Sequence, residues 1–274
     1  MEPERQILSP RLHRFTQFHS QFLPDDRDIT IYLPPGYDED PAANYPVLYM
    51  QDGQNLFDFA APDDSFVKRR TWQMAQTADA AIAAGQVEPL LIVGIANTGH
   101  RRLAEYTPTS DWKLGGGDAD KYGRLLVDEL LPFIAAHYRV RPGAANTGLG
   151  GSSLGALASL YLGLKHHEFF GKLAILSPSV WWNHRAILTL VEEMAPKLGP
   201  RPRVWLDIGE CEGERAIADA DLLERRLRAH GWRAGTDLIY HRIPGGTHDE
   251  ASWAKRVQPM LRLLFSCTSP SVDS

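Results

Sequence analysis

Cysteine is nearly absent: among 274 residues only Cys211 and Cys267 occur. Two thiols exclude a disulfide scaffold and are too few for a structural zinc site. Long apolar runs are missing as well. No stretch reaches the roughly 18 residues that cross a bilayer, and the opening MEPERQILSPRLHR lacks the apolar centre of a secretory signal. These absences lead to the expectation of a soluble, cytoplasmic protein with no membrane partner. Charge of one sign is also lacking, since 29 Lys plus Arg stand against 34 Asp plus Glu, a balance of −5 with no like-charge block. Nucleic acid is therefore not expected as a partner either. What the chain does hold is apolar residues, 43% of the total, enough for a sizeable core.

Short apolar runs alternate with longer amphipathic ones, the pattern of an α/β fold with a mostly parallel central sheet and helices on both faces. Asp26 to Tyr37 reads as a strand stopped by Pro34, Pro35 and Gly36, and Tyr45 to Gly53 as a stronger one. Gln73 to Gly85 is an alanine-rich helix closed by Gly85. Pro89 to Asn97 is apolar throughout, as a central parallel strand is. Asn97 to Asp118 has no periodicity and reads as a long loop of the kind that carries function. Lys121 to Tyr138 resumes helical spacing, with a kink or break predicted at Pro132. Leu173 to Leu176, Val204 to Ile208 and Asp237 to Ile243 are further strands, and Ala216 to His230 and Trp253 to Phe265 further helices. No internal repeat or linker divides the chain. Residues 1–28 are expected to be an N-terminal extension and first edge strand region, 29–265 the catalytic domain, and 266–274 a disordered tail.

Gly151-Ser152-Ser153-Leu154-Gly155 is a G-x-S-x-G followed directly by a helical pattern of small and apolar residues. This is the form of a nucleophile elbow, where a tight strand-to-helix turn exposes a serine hydroxyl. A plain glycine-rich turn, with Ser152 or Ser153 capping the helix, is the competing reading. A serine needs a neighbouring base, and in the order Ser, acid, His only His241 and His248 lie late enough. His248 sits in a glycine-flanked loop and is the better base; His241 falls inside a strand. His166 and His167 beside Glu168 read as solvated surface rather than metal ligands. The acid belongs just after the strand Val204 to Ile208. Asp207 falls within that strand and Glu214 opens a helix, which leaves Glu210 and Glu212, between which spacing does not choose. The amide of Leu154 and that of Gln54, in the turn after Gly53, are the expected oxyanion donors.

The motifs LPPGY, YPVLYMQDGQNLFD, RLAEYTP, ELLPFIAAHYRV, GGSSLGA, LSPSVWW, WLDIGECEG and GGTHDEASW together resemble the Putative esterase family of α/β-hydrolases. That family includes enterochelin, feruloyl, acetyl-xylan and esterase D type enzymes and antigen 85 type mycolyltransferases. The resemblance covers Ile29 to Phe265. It implies an α/β-hydrolase fold and a serine carboxylic-ester hydrolase acting on a small-molecule or carbohydrate-linked ester. The catalytic residues it implies are Ser153 as nucleophile, His248 as base and Glu212 as acid, with Glu210 in reserve, working through an acyl-enzyme and needing neither metal nor cofactor. It further implies that Arg102, Glu105, Tyr106, Trp181 and Trp182 wall the substrate cleft, although Arg102 with Glu105 equally fit a brace and the tryptophans a core. Acyl transfer to a sugar or alcohol, and a non-catalytic binding protein on the same scaffold, are the alternative functions. The family's siderophore esterases carry an extra N-terminal β-domain, for which the residues before Ile29 are too few.

Overall fold

The computed structural model describes residues 3–58 and 71–267. Its centre is a nine-stranded sheet in the order β1-β2-β3-β5-β4-β6-β7-β8-β9. The strands are β1 (Glu4–Ser9), β2 (Leu12–Phe18), β3 (Arg27–Tyr32), β4 (Val47–Gln51), β5 (Leu91–Ile95), β6 (Thr147–Ser152), β7 (Lys172–Leu176), β8 (Arg203–Gly209) and β9 (Leu238–Ile243). From β5 through β4 to β9 every neighbouring pair is parallel, whereas β1, β2 and β3 join antiparallel. All five residues of β4 and of β5 are buried, as strands covered by helices on both faces are. On β2, His13 and Phe15 turn inward and Arg14 and Thr16 outward, the alternation of a strand with one covered face. The region expected to hold an extension and a first edge strand thus supplies two whole strands, β1 and β2, of the same sheet.

The helices are α1 (Met74–Ala83), α2 (Arg102–Tyr106), α3 (Ala119–Arg124), α4 (Leu131–His137), α5 (Leu154–Lys165), α6 (Trp182–Met194), α7 (Glu214–Ala229) and α8 (Glu250–Leu264). One face of the sheet packs Ile31, Val93, Leu149 and Ile175 against α3 to α7, and the other packs Leu48, Met50, Ile92 and Leu176 against α1 and α8. The break expected at Pro132 takes the form of a π-helical stretch, Leu125–Leu130, that joins α3 to α4. A proline without an N–H interrupts the ladder there, and the widened turn absorbs it. The loop predicted from Asn97 to Asp118 contains α2, and α6 went unpredicted; both depend on long-range partners described below. The predicted tail falls largely on residues 268–274, outside the described residues. Among those described, no helix is long and apolar enough to cross a membrane.

Candidate active site

The parallel strands end in register at one edge: Ser152 lies beside Leu176, Leu176 beside Asp207, and Gly209 beside Ile243. The segments that follow these strands therefore meet. Ala145 to Leu149 is a poor strand sequence, yet Thr147–Ser152 forms β6 because β4 and β7 hydrogen-bond it on both sides. Ser153 follows at φ 56° and ψ −123°, a sharply strained angle for a residue with a Cβ, and α5 starts at the next residue. A Cβ on Gly151 would come within 2.9 Å of Gln51 and of the Gly155 backbone, and one on Gly155 within 2.9 Å of Gln51. Both glycines of the motif are thus required by close approach to the neighbouring strand end.

Ser153, His248 and Glu212 line one cleft of about 350 Å³ together with Leu154, Ser179 and Trp181. His248 Nδ1 lies 2.7 Å from Glu212 Oε2. The imidazole is about half exposed while the carboxylate is buried, with side-chain exposures of 47% and 2%. Burial pushes the Glu212 carboxyl up, but hydrogen bonds from His248, the Ser177 hydroxyl and the Gly209 amide outweigh it and hold the group below its ordinary value. Glu210 is exposed, Glu214 opens α7, and Asp207 is buried within β8. Of the two acids left open by spacing, Glu212 is the one that reaches His248. The His248 loop is fixed by Asp249, whose side chain accepts from the Ser252 amide to cap α8, and by Thr247, whose amide donates to Ser252 Oγ at 2.9 Å. The Trp253 ring stands edge-on to the imidazole at 5.0 Å. Among the described residues no hydrogen bond joins Ser153 to His248; the Ser153 hydroxyl lies 3.3 Å from Ser179 Oγ.

Gln54 lies in a single 3₁₀ turn, Gly53–Asn55, directly after β4 and Asp52. The left-handed residue here is Asp52, at φ 56°, and not Gly53. Gly53 is needed for a different reason: a Cβ there would sit 2.4 Å from the backbone of Gly94 on β5. Asp52 is clamped by Arg102 through paired contacts of 2.7 and 2.8 Å and by Asn97 Nδ2 at 2.7 Å. The Gln54 side chain accepts from the Asn97 amide at 3.1 Å, so the turn is tied on both sides.

Of the five residues expected to wall the cleft, only Trp181 lines it, 43% exposed. The other four do not: Arg102 and Glu105 take the brace reading and Trp182 the core one, and Tyr106 does not face the cleft. Glu105 is buried in a two-pronged pair with Arg27 at 2.9 and 3.0 Å. Tyr106 is buried, its hydroxyl accepting from the Asp52 amide at 3.2 Å. Burial holds the Tyr106 hydroxyl well above its ordinary pKa. Trp182 is buried and donates from Nε1 to Thr109 O at 2.9 Å. Arg102 spends its guanidinium on Asp52. Glu105, Tyr106 and Trp182 are buried braces whose polar atoms are satisfied inside the protein, and Arg102, partly exposed, braces Asp52. His166 and His167, expected at the solvated surface, are partly buried beside Glu168, at 3.8 and 3.7 Å. His241 packs its exposed ring against Trp205 at 4.9 Å.

Sequence reasoning passed over Ser177, Ser179 and Arg256. Arg256 is 1% exposed and donates to Asp207 Oδ1 at 2.7 Å, Ser177 Oγ at 2.8 Å, Ser252 Oγ at 2.9 Å and Thr247 O at 3.1 Å. A signal existed: Arg256 shares the inward stripe of α8 with Trp253, Val257, Met260 and Leu264, and a charge on an apolar stripe demands a buried partner.

The family model described as Putative esterase matches residues 20–264. The uncharacterized protein YbbA of Bacillus subtilis is 27% identical over 218 residues, 77% of this chain and 79% of that protein. The siderophore enterobactin esterase of Emericella nidulans is 24% identical over 209 residues, 69% of this chain and 67% of that protein. Among solved structures, the BES protein from Bacillus cereus superposes with a TM-score of 0.75 at 22% identity, over 97% of this chain and 98% of that one. The sheet and its helices are those of an α/β-hydrolase, and with the family model spanning nearly all of the chain, this protein belongs to the Putative esterase family and is a carboxylic ester hydrolase.

Proposed function

We propose that the chain cleaves esters by a serine mechanism through an acyl-enzyme intermediate. Ser153 Oγ attacks the ester carbonyl while His248 Nε2 takes its proton, and Glu212, bound to the Nδ1 hydrogen, holds the ring in the tautomer that leaves Nε2 free and stabilises the imidazolium that forms. The amides of Leu154 and Gln54 receive the oxyanion, each such donor being worth about 2.7 to 4 kcal/mol in the barrier. His248 then returns the proton to the departing alcohol. Water, activated by the same imidazole, releases the acid and frees Ser153. Trp181 is the aromatic wall against which the substrate lies, and the substrate is a small-molecule or carbohydrate-linked ester.

The observation that carries this reading is the 2.7 Å contact between Glu212 and His248 in the cleft that also holds Ser153. Its strained φ supports Ser153 as nucleophile over Ser152, which belongs to β6. Ser153→Ala is expected to lower kcat on p-nitrophenyl acetate by roughly 10⁴-fold or more, with an unchanged circular dichroism spectrum. It is also expected to abolish labelling by a fluorophosphonate. Turnover near that of the unsubstituted enzyme would place the nucleophile elsewhere.

A further inference from the structure

Ser177 combines three features that β7 by itself does not explain. It follows the strand at φ 45°, in the left-handed region that a residue with a side chain rarely adopts. It is 1% exposed. Its hydroxyl has three partners: Trp253 Nε1 at 3.1 Å, Arg256 Nη1 at 2.8 Å and Glu212 Oε1 at 2.6 Å.

The chemistry of those partners fixes where the hydroxyl proton goes. An indole N–H and a guanidinium donate and never accept, so both consume lone pairs of Ser177 Oγ. A hydroxyl has two lone pairs and one hydrogen, and the remaining partner is a carboxylate. The single proton of Ser177 therefore points at Glu212 Oε1. That oxygen also accepts from the Gly209 amide at 2.8 Å. Arg256 Nη2 reaches the same oxygen at 3.4 Å, so with Oε1 held by three donors the carboxylate cannot rotate freely, and Oε2 is left facing His248.

We infer that Ser177, polarised by Arg256 and Trp253, is a positioning residue that locks Glu212 in the orientation that receives the His248 imidazole. The inference rests on the triad reading above. The left-handed backbone at Ser177 persists because Asp207 grips it there, its carbonyl accepting from the Ser177 amide at 3.0 Å.

The experiment compares Ser177→Ala and Ser177→Gly, each alone and in a Glu212→Gln background, with p-nitrophenyl acetate. Both substitutions are expected to lower kcat roughly 10-fold, in the range of residues that orient a reacting group, and to leave KM within about 2-fold. Glycine relieves the left-handed strain, so it restores stability without restoring turnover. In the Glu212→Gln background the same changes are expected to cost less than about 2-fold, because residues that act as a unit are not additive. The low-field proton resonance of His248 Nδ1 moves upfield in both variants. Equal losses in the two backgrounds, or a kcat that recovers with glycine, would overturn the role; where the alanine variant does not fold, the glycine variant decides. Full turnover by Ser153→Ala or by Glu212→Gln alone brings down the triad reading itself, an outcome separate from a silent Ser177 on an intact triad.

Discussion

Two arginine clusters brace the strand ends of the sheet, and they are built differently. Beside the Gly53–Asn55 turn, Arg27 meets Glu105 and Arg102 meets Asp52, one guanidinium to one carboxylate, each through two contacts. Charge there closes to zero, and Tyr106 and Asn97 finish the packing around Asp52. Below the acid and base, one buried Arg256 serves two carboxylates, Asp207 at 2.7 Å and Glu212 at 3.4 Å. Burial pushes the Asp207 carboxyl up, whereas Glu212, held below its ordinary value, keeps its charge facing His248. A closed pair makes a rigid wall. In the proposed cycle the shared arginine leaves Glu212 to face the cation formed when the imidazole takes a proton.

The sharpest way to break this contrast is Arg256→Met. It leaves Asp207 buried without its cation, and urea unfolding is expected to show a loss of about 3 to 5 kcal/mol. Activity is lost with it, since Ser177 and the Thr247 carbonyl lose the same donor. Arg102→Gln tests the opposite side. Arg102 is partly exposed, so the loss is expected to be smaller, about 1 to 2 kcal/mol. Because the Gly53–Asn55 turn, the proposed oxyanion donor, loosens, kcat is expected to fall while the Glu212–His248 contact, followed by the His248 Nδ1 resonance, stays as it was. An upfield shift of that resonance in Arg102→Gln would show that the two clusters are not independent.

The smallest effect is on the pH dependence of stability. The folded Glu212 carboxyl lies below its ordinary value, so its contribution is complete above the unfolded glutamate pKa of about 4.3 and is lost as pH falls through the lower folded value. The difference in melting temperature between the unsubstituted enzyme and Glu212→Gln is therefore expected to be constant near neutrality and to shrink in acid. A gap that widens on acidification would contradict the sign of the shift.

Much of this could be read in the chain beforehand. The apolar run of β5 announces a buried parallel strand, and the elbow is legible because glycine spacing reports a steric need that is local. The order of Ser153, an acid after Val204 to Ile208 and His248 put three groups after strands, which the structure shows to be β6, β8 and β9. β6 was illegible, since Thr147 to Gly151 has little strand propensity and is held by its two neighbours. α2 was hidden in the same way, with Glu105 gripped by Arg27 from β3. For Glu105 and Trp182 the sequence left brace or core against cleft open, and Tyr106 was expected at the cleft, because charged and aromatic side chains carry the same letters whether they face a ligand or a buried partner.

The amino-acid order by itself determined which segments alternate, where the strained serine sits and which histidine follows last, because periodicity, close glycine spacing and chain order are properties of short stretches. Only the tertiary structure decided between Glu210 and Glu212, and only it revealed Ser177 and Arg256. A hydrogen bond between residues dozens of positions apart has no local signature, and the direction of a hydroxyl proton is fixed by what every surrounding group can donate or accept.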